Sequence, residues 1–464
     1  MILRGLNATI KLIWMRLMTK SEQIQKQFKE LQITPTQSLQ GTYQTPSDKS
    51  ISHRALIFGA IAKGQTVINR LLPAADVLRT KTALQQLGVK ITTTGEQTIV
   101  EGQGGFKFKQ PQQPLNLGNS GTTTRLFLGL LAKQDFPITL VGDASLSRRP
   151  MARVVTPLQA VGMKVSYLNE FDQLPLTILP NQHLQALNYQ MPIASAQLKS
   201  ALILAALQAD QPSKIGQLAE SRNHTELMLT QFGGNINEKQ HRLQIQPLTQ
   251  PLIGQTLTVP GDPSTAAFLI TAALLLPNSR LTVTNHSLNP TRTGFLQLLE
   301  AQHAPLTYLN KTTAGEPSAD IQIKTLITPL KAFTINQENL GRLIDEIPII
   351  SLLATQAVGT TVIRDAQELR YKETDRLHVV ATELTKFGAT ITELPDGLQI
   401  TGPTQLKRPS VPLDAHQDHR IAMMLVIAEL LIGEKLPIAG IESIAISNPT
   451  FIKDLISLLK DEDK

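Results

Sequence analysis

Six times along the chain a polar segment gives way to a dense apolar run, then a turn, then a short β-branched stretch. The polar starts are Lys49-Ser50-Ile51-Ser52-His53-Arg54, Asn119-Ser120-Gly121-Thr122, Ser195-Ala196-Gln197, Asp262-Pro263-Ser264, Asp345-Glu346 and Asp418-His419-Arg420. The runs behind them are apolar nearly all round. Each therefore predicts a helix through the middle of a module rather than along its surface. Strands are predicted at 66–68, 138–141, 281–283 and 360–363, with Gly64, Gly359 and Gly433 as stops. Amphipathic helices are predicted between them at 77–87, 150–161, 225–232, 293–299 and 374–387, followed by alternating strands such as 89–93 and 243–246.

The starts recur at intervals of about 67–83 residues, too long for a familiar solenoid and right for a βαβαββ unit. Three units make a half. The expected organisation is a first lobe over 48–260 and a second over 31–47 plus 261–464, with residues 31–45 supplying a strand to the second. Turn-rich segments at 45–48 and 259–262 read as hinges. The fold class is α/β, in two similar domains.

Residues 1–30 read as an extension outside this scheme, disordered or arising from a misassigned start. On a helical wheel Leu3, Leu6, Ile10, Ile13, Trp14 and Leu17 share one face, which also fits a surface-membrane helix. Charges interrupt the run and no A-x-A site follows, which argues against a cleaved leader.

Composition narrows the chemistry. Of 464 residues, 44 are Lys or Arg and 37 Asp or Glu, a net +7 with no concentrated basic tract; aromatics are 4%. Neither feature suits a nucleic-acid platform, so no nucleic-acid partner is expected. No apolar stretch reaches the ~18 residues of a membrane span, so no membrane partner is expected. Cysteine is absent, which removes thiolate nucleophiles, disulfides and Cys-ligated metals. That composition fits a cytoplasmic protein. There is no G-x-S-x-G, P-loop or H-E-x-x-H, and no metal is expected.

The polar residues sit where buried helices begin, the end that carries unpaired N–H groups and the positive pole of the helix dipole. Lys49, Arg54, Arg125, Arg149, Lys372, Arg376 and Arg420 cluster at or near these starts. Pairing of each with a nearby carboxylate is the plainer reading. Seven placed alike in different repeats point to a shared anionic ligand with several phosphates or carboxylates, held by guanidinium forks. Asp345 and Glu373 are the acid–base candidates in that cationic setting. Their plainer readings are an N-cap and an i,i+3 ion pair with Arg376.

Pro46-Ser47-Asp48-Lys49-Ser50-Ile51-Ser52-His53-Arg54, Leu117-Gly118-Asn119-Ser120-Gly121-Thr122-Thr123-Thr124-Arg125, Arg370-Tyr371-Lys372-Glu373-Thr374-Asp375-Arg376 and Asp418-His419-Arg420 resemble, in order, the motifs of the 5-enolpyruvylshikimate-3-phosphate synthase family. The resemblance spans roughly residues 31–460. It implies the enolpyruvyl transferase fold, an inside-out α/β barrel of two lobes, each of three βαβαββ repeats, closing over the substrates. It implies transfer of enolpyruvyl from phosphoenolpyruvate to the 5-hydroxyl of shikimate 3-phosphate through a tetrahedral adduct, on the route to aromatic amino acids. A monomer without metal or organic cofactor follows from the same resemblance.

By position, the family roles fall on Lys49 (both substrates) and on Ser50, Arg54, Ser195, Gln197, Ser221, Asp345 and Lys372 (shikimate 3-phosphate). Gly121, Arg149, Gln197, Arg376 and Arg420 take phosphoenolpyruvate, with Arg125 in support; Asp345, Glu373 and Lys49 are catalytic. Ser47 and Gln417 stand where glycine is usual. Ile446 stands where some members have lysine, and Leu126 where some have proline. A UDP-N-acetylglucosamine enolpyruvyl transferase shares the fold but typically carries a loop cysteine and lacks this Lys-Ser…Arg start. A non-catalytic anion binder would dispense with Asp345 and Glu373.

Overall fold

The computed structural model describes residues 19–313 and 315–461. Internal contacts divide the chain into two compact units. One is Ser47–Pro260 with Thr313–Pro317; the other is Gly261–Thr312 and Ser318–Lys464 with the chain up to Pro46.

The first unit repeats one plan three times. In each sheet a short strand runs parallel to the strand that follows a central helix, and an antiparallel hairpin completes four strands. Thr256–Thr258 lies parallel to Lys63–Asn69, beside Gln97–Gln103 and then Lys90–Thr94. Leu115–Asn116 pairs with Ile138–Val141, then Leu176–Leu179 and Lys164–Tyr167. Asn188–Gln190 pairs with Ser213–Gly216, then Arg242–Ile245 and Ile236–Lys239.

The three central helices of this unit are Lys49–Ile61, Gly121–Leu130 and Ala196–Ala206. Nearly every residue of each is buried. They pack against one another, against neighbouring helices and against the sheets, which explains why their sequences lack a polar face. The second and third come close enough for backbones to touch, because a Cβ on Gly129 would lie 2.0 Å from the carbonyl oxygen of Ala201. Gly129→Ala must separate these helices, and overpacking of this kind costs about 1–3 kcal/mol. The expected result is a lower denaturant midpoint with an unchanged m-value.

The second unit follows the plan twice and then shortens it. Gln37–Gln44 runs parallel to Arg280–Ser287, followed by Ser318–Lys324 and Leu306–Thr312. Thr334–Ile335 pairs with Gly359–Ile363, then Gly397–Gly402 and Thr390–Leu394. The last copy keeps only Leu413–Asp414 beside Ile438–Ala439. Its final helix, Phe451–Leu458, leads into Leu459–Asp461, which pairs antiparallel with Gln37–Gln44. Central helices here are Pro263–Leu275, Ile347–Thr355 and His419–Ile432.

The expected extension over residues 1–30 is corrected for its second half. Lys20–Glu30 is a helix with a full capping box: Glu22 N–H donates to the Thr19 hydroxyl at 3.2 Å, and the Glu22 carboxylate accepts from Thr19 N–H at 2.7 Å. Ile24, Phe28 and Leu31, spaced for one face, are buried in the core of the second unit. Each contributes about 1.5–3 kcal/mol by leaving water. Residues 1–18, including the wheel from Leu3 to Leu17, lie outside the described residues. No described helix is long and apolar enough to cross a membrane.

Candidate active site

Five of the six central helices are capped by their own leading residue. Asp48, Ser120, Ser195, Asp262 and Asp418 accept from backbone N–H groups two or three residues further on. Such caps satisfy one terminal donor and leave the neighbouring N–H groups available. The fifth helix differs. Asp345 lies in the 3-10 turn Ile344–Glu346 ahead of it, and Glu346 is the capping position, with no side-chain cap bond. Asp345 is therefore not the N-cap that a plain reading would make it.

In the first unit, Arg54 is 3% exposed, yet its hydrogen-bond partners are neutral oxygens. Its Nε donates to Thr225 Oγ1 at 2.6 Å, one terminal nitrogen to Ser50 O at 2.9 Å and the other to Ser200 Oγ at 2.6 Å. Burial pushes this guanidinium down to about 10, against the pull of Glu226 and Asp48. Lys49, the first residue of the same helix, faces Asp76 at 3.4 Å. Ser221 donates to Gln217 and accepts from the buried Lys199 through its carbonyl, while Lys199 pairs with Glu226 at 2.6 Å.

A second cluster forms at the start of the Gly121 helix. Arg125 donates to Gln197 Oε1 at 2.7 Å, and Gln197 donates to Thr122 Oγ1 at 3.0 Å. Among the described residues the Arg149 side chain donates only to Ser145 Oγ, at 3.5 Å. A Cβ on Gly121 would lie 3.2 Å from a terminal nitrogen of Arg125 and 3.4 Å from one of Arg149. The two guanidiniums thus meet over the bare Cα of Gly121. Burial, then the like charges of Arg153 and Arg149, push Arg125 down to about 10. Among the described residues no carboxylate lies within ion-pair reach of Arg125 or Arg149. An unbalanced pair of this kind favours an incoming anion.

In the second unit the charges are balanced. Arg376, 1% exposed, donates through Nε to Asp418 Oδ2 and through a terminal nitrogen to Glu373 Oε2, both at 2.7 Å, and lies 3.7 Å from Asp345. Arg420 donates to Asp345 O at 3.0 Å and sits 3.8 Å from its carboxylate. Lys372 donates to Glu368 at 2.8 Å. Burial works against the charged form of Glu373, but Arg376 and Arg420 outweigh it and hold its carboxyl below the usual range. Burial likewise opposes charge on Arg376, and Asp418 with Glu373 more than offsets it. Glu373 is thus the i,i+3 partner of Arg376, and the charges of Arg420 and Asp345 also act on it.

Within the first unit, helix starts bring Lys49, Ser50 and Arg54 together and gather Gly121, Arg125, Arg149 and Gln197. Within the second, Asp345, Glu373, Arg376 and Arg420 form one network, with Lys372 held outward by Glu368. Sequence reasoning missed Asp418 as the main partner of Arg376, and Ser200 and Thr225 as those of Arg54. The Asp418 cap position was a usable signal. Of the two glycine replacements, Gln417 takes the left-handed conformation (φ 59), preceded by His416 (φ 50), whereas Ser47 does not. A side chain there costs about 1–2 kcal/mol, partly offset by glycine's freer unfolded chain. Gln417→Gly should raise stability by about 0.5–1 kcal/mol, read as a higher thermal midpoint. Ile446 is exposed and brings no charge. No group of three or more potential metal ligands occurs among the described residues.

Known proteins share the sequence and the fold over most of the chain. Residues 33–455 match the family model for EPSP synthase (3-phosphoshikimate 1-carboxyvinyltransferase). The chain is 47% identical over 433 residues to the 3-phosphoshikimate 1-carboxyvinyltransferase of Lactiplantibacillus plantarum, covering 93% of this chain and 99% of that protein. It is 48% identical over 425 residues to the Streptococcus uberis protein of that name, covering 91% and 98%. An EPSP synthase structure from Acinetobacter baumannii superposes with a TM-score of 0.84 at 35% identity, covering 92% of this chain and 98% of that one. The enolpyruvyl transferase NikO of Streptomyces tendae, at 16% identity and a TM-score of 0.74 over 92% and 97%, shares the fold. Six repeats on the enolpyruvyl transferase plan, with a match over nearly the whole length, place this chain in the EPSP synthase family.

Proposed function

We propose that the cationic clusters of the first unit and the carboxylate–guanidinium network of the second both bind substrates of one reaction. As an EPSP synthase the chain transfers the enolpyruvyl group of phosphoenolpyruvate to the 5-hydroxyl of shikimate 3-phosphate and releases phosphate. The observation that carries the residue assignment is the pair of guanidiniums over Gly121, with no carboxylate in ion-pair reach among the described residues. In this reading Gly121, Arg149 and Gln197 take phosphoenolpyruvate with Arg376, Arg420 and Lys49. Ser50, Arg54, Ser195, Gln197, Ser221, Lys49 and Lys372 take shikimate 3-phosphate.

The chemistry needs two proton movements. Asp345 accepts the proton of the 5-hydroxyl as its oxygen bonds to C2 of phosphoenolpyruvate, and C3 gains a proton. The tetrahedral adduct then loses a C3 proton, and its C2–O bond to phosphate breaks. Glu373 both gives and takes the C3 proton, and Lys49 is the third catalytic group. Arg376 and Arg420 hold Glu373 ionised without ligand. An anion that engages those arginines withdraws part of their field and raises its proton affinity. Binding of phosphoenolpyruvate thus converts Glu373 into a usable acid. Fixed cations stabilise the adduct and the departing phosphate.

Purified protein should release inorganic phosphate from phosphoenolpyruvate only when shikimate 3-phosphate is present. Release with UDP-N-acetylglucosamine instead would assign it to the sister reaction, and none with either would overturn this reading. We also propose a cytoplasmic monomer without cofactor, which sedimentation of the active protein tests for oligomeric state.

A further inference from the structure

A buried hydrogen-bonded chain behind the Gly121 cluster takes no part in the chemistry above. His53 Nδ1 lies 2.7 Å from Thr80 Oγ1, Thr80 Oγ1 2.7 Å from Thr123 Oγ1, and Thr123 Oγ1 2.6 Å from Ser120 Oγ. All four residues are 0% exposed. They sit on three helices: His53 on Lys49–Ile61, Thr80 on Ala75–Gln86, and Ser120 and Thr123 at the cap and first turn of Gly121–Leu130. Ser120 Oγ also accepts from Thr123 N–H, which is the cap of that helix. At the other end His53 is one residue from Arg54 and four from Lys49. Burial first, and then Lys49 and Arg54, hold its imidazole neutral.

Each hydroxyl has one proton, so if His53 Nδ1 accepts, Thr80 must donate to it, Thr123 to Thr80 and Ser120 to Thr123; the proton on Nε2 then has no partner among the described residues. With Nδ1–H donating, Thr80 can donate to Thr123, whose own proton goes to Ser120 or to Asp76 O at 3.5 Å. Links of 2.6–2.7 Å in a dry interior hold their helices tightly, since each unpaired buried polar group costs free energy.

We propose that the His53–Thr80–Thr123–Ser120 chain is a positioning device for the known reaction, fixing the start of the Gly121 helix against the Lys49–Arg54 helix. Thr80 is its key member, because it bridges His53 and Thr123 and lies on a helix to which no substrate role is assigned. Weakening this link lets the Gly121 start shift beneath Arg125 and Arg149 while Arg54 keeps its own partners. The inference rests on the proposed role of the Gly121 cluster in binding phosphoenolpyruvate.

The test is steady-state kinetics on Thr80→Val and Thr80→Ser, with Arg149→Ala as reference and thermal midpoints measured alongside. Thr80→Val, which keeps shape and removes the hydroxyl, should raise KM for phosphoenolpyruvate about 5–30-fold. KM for shikimate 3-phosphate and kcat should stay within about threefold. Thr80→Ser restores the hydroxyl and should recover most of the loss. A lowered midpoint with both KM values unchanged would overturn the proposal, as would equal damage in the Ser variant. If Arg149→Ala also leaves KM for phosphoenolpyruvate unchanged, the assignment of the Gly121 cluster fails rather than the chain behind it.

Discussion

Replacing Asp345 by Ala, or Glu373 by Gln, should each lower turnover by about 10²–10⁴-fold while the fold survives. The local geometry explains both halves of that expectation. Asp345 lies 3.7 Å from Arg376 and 3.8 Å from Arg420, at the outer edge of ion-pair range. When Asp345 is replaced, Arg376 keeps its bonds to Asp418 and Glu373, and Arg420 keeps its bond to the main-chain carbonyl of residue 345. Glu373→Gln retains an acceptor for Arg376 and loses only the titrating oxygen. Single-turnover phosphate release reads the chemical step, and unfolding midpoints monitor the fold. Near-normal turnover in both variants would remove the proton-transfer assignments.

Arg149→Ala should raise KM for phosphoenolpyruvate by about 10–100-fold, the worth of about 1.5–3 kcal/mol for a bond between charged groups. KM for shikimate 3-phosphate should move little. Stability should hold or rise slightly, because Arg149 stands beside Arg125 as a like charge and its side chain, among the described residues, bonds only to Ser145. Function and stability then pull apart, as they do where a site keeps charges unbalanced for a ligand. An unchanged phosphoenolpyruvate requirement, or a marked loss of stability, would contradict this assignment.

Much of the architecture could be read from the chain because buried helices and their polar starts carry opposite compositions. The apolar stretch behind Asp262 became Pro263–Leu275, with all but its last residue buried, and Asp418 became the cap of His419–Ile432. Two features escaped. Thr19-Lys20-Ser21-Glu22 is a capping-box signature followed by Ile24, Phe28 and Leu31 at helical spacing; the segment was passed over because the charged, apolar residues before it read as an extension. Residues 313–317 belong with the first unit although they join two strands of the second, and Glu316 meets the buried His224 at 2.7 Å. Nothing local in the sequence marks that.

The site was legible as a set of residue types and not as a set of bonds. Arginines at helix starts announced an anion, but whether each is balanced depends on partners far along the chain. Arg54 is held by hydroxyls from Ser200 and Thr225, and Arg376 by Asp418. That distinction separates the unbalanced cluster over Gly121 from the compensated network around Arg376. It could come only from the folded arrangement.

The account stands or falls on whether both units grip the same substrates. A crystal structure of the Asp345→Asn variant with shikimate 3-phosphate and phosphoenolpyruvate addresses this most directly. It should place Lys49 and Arg149 from one unit and Glu373, Arg376 and Arg420 from the other within hydrogen-bond distance of a single ligand pair. Ligands held by one unit alone, with the substituted side chain beyond reach of the 5-hydroxyl and Glu373 beyond reach of C3, would contradict it.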